Sequence, residues 1–253
     1  MFIVVSPAKK LAIVDRFTAQ PTQPPMLQSA TILAGLLKKE SVDGIKKRMK
    51  LSDKLSQLNY ERYQAFSVPF TEENSSVAVH TFAGDTYVGL DPKTLTDEDL
   101  KFAQQTLGIL SGLYGILRPL DLMQPYRLEM GTKLPNPKGK DLYAFWGEEI
   151  TKQITKMMEE KNTKVLVNLA SKEYFSSVKA SSLPGKVITP VFKEERNGVL
   201  KIISFSAKRA RGEMARYIIQ NRLSKPVSMK KFVGSGYQYQ PQLSNETDWV
   251  FAR

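Results

Sequence analysis

Seven cations stand at positions where a folded chain can present charge to an anion. Lys9 lies in the turn "SPAKK", Arg118 and Arg127 lie in the Gly- and Pro-punctuated stretch from Gly108 to Gly131, and Lys172 lies in "NLASKEYF". Lys208, Arg209 and Arg211 crowd the start of "SFSAKRARGEMARYIIQNRL", which reads as a helix with Ser206 as N-cap. Cations at a helix start oppose the backbone dipole, and the next acid in that helix is Glu213. Glu213 can pair with Arg209 at i,i+4 or with Arg216 at i,i+3, whereas Lys208 and Arg211 have no acid within the helix. Two readings share this pattern: a solvated basic face, and an anion site that uses the outward N–H groups of the first turn, phosphate being the obvious anion.

The other cations carry similar pairs of readings. Lys9 follows the first strand, and strand ends are the usual address of functional groups in α/β folds. Solvation alone would also serve a turn lysine. Lys172 adjoins Ser171 at a strand-to-helix junction, which Ser171 capping explains equally well. Arg118 and Arg127, held by a rigid loop, suit bidentate binding of phosphate or carboxylate, but Asp121 and Glu129 are close enough in sequence to hold them as structural ion pairs. Gly112 and Gly115 of "LSGLYG" invite comparison with the glycine hairpin of helix-hairpin-helix DNA binders, with one residue too many between the glycines. The helical pair around "ESVDGIKKRMKLSDK" is a second place for such an element.

Composition closes off other chemistries. The 253 residues contain no Cys and one His, His80, so thiolate sites, disulfides and histidine-rich metal centres are excluded. No tight metal binding is expected. No P-loop, dinucleotide fingerprint or acidic calcium loop is present, and no cofactor is expected. Ser6, Ser171, Asp85 and Glu173 form a polar set without a recognisable activated nucleophile. Lys and Arg number 37 against 25 Asp and Glu, a net charge of +12 that favours an acidic partner such as nucleic acid. The apolar run at the start is too short for a secretory signal and none is long enough to span a membrane, so a cytoplasmic protein with no membrane partner is expected.

The elements that must position these side chains read as a mixed α/β (α+β) fold, one compact domain over residues 1–253 with a central mixed sheet and surrounding helices. "FIVV" predicts a buried strand before a proline-rich loop, "TAQPTQPP", and helices follow over 26–40, in "SVDGIKKRMK", and after Ser52. Residues 77–82 predict a strand containing a partly buried structural His80, and "GDTYVGLD" predicts a loop. Thr96 starts a helix with three acids in its first turn, residues 108–131 read as strand and structured loop, and 141–160 as one long helix. A strand over 164–169 precedes the helix capped by Ser171, and Asn-Gly in "EERNGV" joins strands 187–193 and 199–205 as a hairpin. A short helix near "SMKKFV" and edge strands in "YQYQP" and "DWVFAR" complete the chain.

"SPAK", "SDKL", "GDTYVGL", "LSGLYGILRPLDLMQPYRLEMG", "GKDLYAFWG", "NLASKEYF", "ITPVF" and "KIISFSAKRARGEMARYII" together resemble the peroxide stress resistance protein YaaA family of bacteria. The resemblance runs from the first strand to at least Leu223, and only "TFAGDTYVGL" departs from it, with Ala83 where a lysine is expected. It implies a cytoplasmic bacterial protein of the hydrogen peroxide response, linked to limiting free iron, with an unusual α/β fold, a basic cleft and a helix-hairpin-helix element. It also implies binding to double-stranded or branched DNA, with Lys9, Arg118, Arg127, Lys172, Lys208, Arg209 and Arg211 as the matching cleft cations. An enzyme acting on a nucleotide or other small phosphorylated ligand in the same cleft is the second reading, and a module for an acidic protein the third.

Overall fold

A computed structural model describes residues 1–12 and 20–253. Thr18 and Ala19 of the proline-rich loop lie outside the described residues. The first strand, β1 (Phe2–Val5), is buried on both faces, as four consecutive apolar residues require. Three helices follow: α1 (Leu27–Lys38), α2 (Val42–Met49) and α3 (Asp53–Ala65). Ser41 and Ser52 cap the second and third, each hydroxyl accepting an N–H three residues on.

Two expectations fail in the next segment. The strand expected over 77–82 is only β2 (Ser76–Val77), after which the chain turns into a short helix, α4 (Ala78–Thr81), which contains His80. A short apolar run does not declare its period, and here the Thr81 hydroxyl, donating to the Val77 carbonyl at 2.8 Å, helps close the turn. The expected loop "GDTYVGLD" is a helix, α5 (Asp85–Leu90), ended by Asp91 in the left-handed region. Thr96 caps α6 (Asp97–Thr106) with the reciprocal Asp99 bond of a capping box.

The strands β3 (Leu107–Ser111), β4 (Gly115–Leu117) and β5 (Leu122–Met123) follow as expected in type. The long helix expected over 141–160 is two, α7 (Leu142–Trp146) and α8 (Glu149–Glu160). Gly147, at φ 50° and ψ −111°, breaks it with a conformation the α-helix does not contain. Then come β6 (Val165–Leu169), the short α9 (Lys172–Phe175) capped by Ser171, and the hairpin β7 (Lys186–Arg196) and β8 (Val199–Lys201). The helix α10 (Ser204–Gln220), β9 (Gln238–Tyr239) and β10 (Asp248–Ala252) end the chain. The stretch near "SMKKFV" is a 3-10 turn, Pro226–Lys231.

The main sheet has the order β4-β3-β1-β6-β7-β10-β9, with β8 paired to β7. Its five central strands are parallel, and β4 and β9 are antiparallel additions at the two sides. Thus β9 is an edge strand as expected, but β10 is not: it lies between β7 and β9, with Phe251 opposite Phe192. Burial of Trp249, Val250 and Phe251 is the reason that strand could not remain at an edge. The mixed α/β architecture is therefore a single unit whose parallel strands share one carboxyl edge.

Candidate functional site: a basic cleft at the carboxyl edge of the sheet

Strands β1 and β6 are neighbours, with Val5 opposite Leu169, and the chain leaves both at the carboxyl edge. Because β3 lies on one side of β1 and β6 on the other, this is the crevice between oppositely directed crossovers where α/β sheets bind ligands. The Ser171 N–H donates to the Ser6 hydroxyl at 2.8 Å, and the Tyr87 hydroxyl donates to the Ser6 carbonyl at 3.2 Å. Lys9 reaches Glu129 at 3.0 Å, and Arg127 reaches the same carboxylate at 3.3 Å. The main chain of Arg127 is held by the Tyr63 hydroxyl at 2.7 Å.

The floor of this edge is phenolic. Tyr63, Tyr87, Tyr114, Tyr126 and Tyr174 are all buried, and burial pushes each phenol upward, so all are neutral. Tyr126 shares a 2.6 Å hydrogen bond with Ser111. A groove lined by Lys47, Lys50, Glu129, Gly131, Lys133 and Glu173 leads from this edge to the turn between α2 and α3. Glu173 is used structurally: its carboxylate accepts the Gly131 N–H at 2.9 Å and its carbonyl accepts from Tyr143.

Helix α10 follows the β7–β8 hairpin and leads on to β10, so it belongs to a crossover between parallel strands. Its placement is set by α5. A Cβ on Gly212 would stand 1.8 Å from the Thr86 carbonyl oxygen, and one on Gly89 would stand 2.1 Å from that of Arg209, so only glycine permits this crossing. Residue 212 faces the turn from Thr86 to Leu90, and Arg216, one turn further along α10, donates to the carbonyls of Leu90 and Asp91 at the end of α5 at 3.0 and 2.8 Å. The two helices therefore run in the same direction, and the first turns of α10 lie beside the start of α5. There Gly84 packs against Ala8, next to Lys9. Sequence spacing left Glu213 free to pair with either neighbour; it pairs with Arg209 at 3.2 Å, while Arg216 caps α5.

The helix starts two residues before the expected cap, with Ile203 at the capping position and Ser206 inside the first turn. The acid absent from that turn comes from β7. Glu194, only 4% exposed, accepts from Ser206, from Tyr237 at 3.1 Å, from Arg253 at 2.8 Å and from Arg196 at 2.9 Å. The bonds from Ser206, Arg253 and Tyr237, with Ser206 the largest contributor, hold its carboxyl down at about 2. A buried carboxylate beside the first turn offsets the dipole that Lys208 and Arg211 oppose. The strand period carried this signal: Ile188, Pro190, Phe192 and Glu194 share the buried face of β7.

The seven cations separate. Lys9, Arg127, Lys172, Lys208, Arg209 and Arg211 belong to elements that begin or turn at the carboxyl edge. Arg118 does not, because β4 runs antiparallel to β3 and carries it to the amino edge, beside Phe2, Gln104 and Lys161. There Asp121, fully buried, accepts from the Arg118 backbone N–H at 2.7 Å and from Thr22 at 2.6 Å, with the Arg118 guanidinium 3.4 Å away. Arg118 is held there by Asp121. Among the described residues Lys172, Lys208 and Arg211 meet no carboxylate, and burial alone lowers the Arg211 pKa. Arg127 is mostly enclosed, with an 18% exposed side chain and a buried Nε that has no hydrogen-bond partner among the described residues.

Gly112 and Gly115 lie in a buried β-hairpin between β3 and β4, with no helix on either side. Trp146 donates to the Gly112 carbonyl at 3.1 Å, so this hairpin is core and not a phosphate contact. The pair α2 and α3, by contrast, is joined by a tight turn over Lys50, Leu51 and Ser52, with Lys50 at φ 52°. The set Ser6, Ser171, Asp85 and Glu173 contains no activated nucleophile: the Ser6 oxygen takes the Ser171 N–H, Ser171 caps α9, and His80 lies in α4 with a backbone bond to Pro92. Among the described residues no group of three or more His, Asp and Glu could hold a metal, and no helix is long and apolar enough to cross a membrane.

The model of the family described as peroxide stress protein YaaA matches residues 1–243. The chain belongs to that family. It is 52% identical to a UPF0246 protein of Colwellia psychrerythraea, the alignment covering the whole chain and 99% of the relative. A UPF0246 protein of Saccharophagus degradans is 51% identical and one of Teredinibacter turnerae 49%, with the same coverage. Family membership supports a role in peroxide stress and leaves the ligand of the cleft to be argued from its chemistry.

Proposed function

We propose that the basic cleft binds DNA through its phosphates, with little dependence on sequence, as part of the protection of cells against peroxide. The observation that carries this reading is that Lys172, Lys208 and Arg211 meet no carboxylate among the described residues, whereas Lys9, Arg127 and Arg209 on the same edge are paired with acids. Lys47, Lys50 and Lys133 extend the same charge along the groove to the α2–α3 turn. A row of lysines with no acid partner among the described residues suits a polyanion, whose counterions are released as each phosphate is neutralised. The α2–α3 pair is then the better candidate for the helix-hairpin-helix contact. Iron limitation is assigned an indirect route, since the described residues gather no carboxylate or histidine cluster.

The buried, unpartnered Nε of Arg127 beside Glu129 favours one competing reading, a small phosphorylated ligand held at the strand ends. Fluorescence anisotropy with duplex, branched and single-stranded DNA, at several salt concentrations and with free nucleotides as competitors, separates the two. The DNA reading expects affinity to fall steeply with salt and to ignore mononucleotide. Weak DNA binding that one nucleotide abolishes would replace it with the small-ligand reading.

A further inference from the structure

We infer that Phe205, at the start of α10, is a base-stacking residue that takes an unpaired nucleobase of bound DNA while Lys208 holds an adjoining phosphate. The inference rests on the DNA-binding reading above. Phe205 is the second residue of α10 and is 61% exposed, and Ile202 and Val199 beside it in sequence are 56% and 53% exposed. Leaving an aromatic ring in water forfeits the burial that the other aromatic residues of this region obtain, Phe192, Phe232 and Phe251 being almost wholly enclosed. Packing within the fold does not account for it.

The surroundings of the ring identify its partner. Lys208 and Arg209 follow Phe205 at i,i+3 and i,i+4, which places them on its face of the helix with Cβ atoms about 5–6 Å apart. Between residues 193 and 211 there are six basic side chains and two acidic ones. One of those acids, Glu194, is buried and engaged with Arg196, Tyr237, Arg253 and Ser206, which leaves five of the six cations without it. A second copy of this chain would bring the same positive charge to the contact and be repelled. An exposed aromatic face flanked by cations instead fits single-stranded nucleic acid, whose bases offer flat apolar faces and whose backbone supplies the anions. Paired bases are stacked on one another, so the ring engages DNA only where bases are unpaired.

The test compares wild type, Phe205→Ala and Phe205→Trp on a duplex, on the same duplex with a central unpaired bubble, and on a single strand carrying 2-aminopurine. Phe205→Ala should lose about tenfold in affinity for the bubble and the single strand. It should also lose the aminopurine quenching seen with wild type, yet bind duplex within about twofold of wild type. Phe205→Trp should restore both. Equal affinities for wild type and Phe205→Ala on every DNA would overturn the inference and leave the cleft reading intact. Equal loss on duplex and unpaired DNA would overturn it too, as would self-association of wild type that Phe205→Ala abolishes without changing DNA binding. Failure of wild type to bind any of the three DNAs would remove the cleft reading and this inference together.

Discussion

At the amino edge of the sheet Arg118 lies against the buried carboxylate of Asp121, whereas at the carboxyl edge Lys172, Lys208 and Arg211 face no carboxylate among the described residues. Both edges carry cations fixed by tight turns or helix starts, so position in a rigid loop does not by itself mark a binding residue. What separates them is the neighbouring acid. Asp121 is buried and its pKa is raised by that burial, so Arg118, its backbone N–H and Thr22 are needed to keep a charge there tolerable. Glu194 differs again: buried behind the first turn of α10, it takes the Ser206 hydroxyl of that turn and is ion-paired to Arg196 and Arg253, not to Lys208 or Arg211.

The strongest way to break the contrast is to remove the crossing that positions α10. Gly212→Val places side-chain atoms inside the Thr86 carbonyl, and a stability loss of about 3 kcal/mol is expected in denaturant unfolding, with binding lost as the first turns of α10 move away from Lys9. Charge reversal at Lys208 and Arg211 to Glu should lower DNA affinity by about 100-fold in moderate salt while the melting temperature stays within a few degrees of wild type. Retained affinity in that folded variant would exclude α10 from the site.

Glu194→Gln sharpens the account from the other side. A carboxyl held near 2 in the folded state, against 4.5 as its ordinary value, contributes stability that is complete above 4.5 and is lost as pH falls toward 2. The variant should be less stable by about 2 kcal/mol at neutral pH and should show a flatter loss of stability across that acid window. A thermal melt series at several pH values reads both. The smallest effect is expected from Arg118→Ala, a loss of about 1 kcal/mol in stability, because Asp121 keeps Thr22 and the backbone N–H, with DNA affinity within about twofold of wild type.

Much of this was legible in the residues themselves. The Asn-Gly hairpin, the acid-rich first turn after Thr96 and the buried runs of β1 and β6 each announce their structure locally, and the structure agrees. Local pattern failed at "VAVHTF", where the Thr81 hydroxyl bonds back to Val77, and at "GDTYVGLD", which adopts helix packed against α10. The site was legible in residue type but not in geometry. Arg118 and Arg127 are close in sequence, yet the antiparallel turn at β4 sends Arg118 to the opposite edge, a fact that only strand order contains. The partnership of Glu194 with α10 is not legible locally, because Glu194 lies on a separate strand, although its place on the buried face of β7 is readable from the alternation.

The most direct test of the central claim is the salt dependence of DNA binding for wild type, for the triple variant Lys172→Ala/Lys208→Ala/Arg211→Ala, and for Arg118→Ala. The account predicts that the slope of log affinity against log salt becomes shallower by about 3 in the triple variant and stays unchanged in Arg118→Ala. An unchanged slope in the triple variant, or an equal flattening in Arg118→Ala, would contradict the assignment of binding to the carboxyl edge.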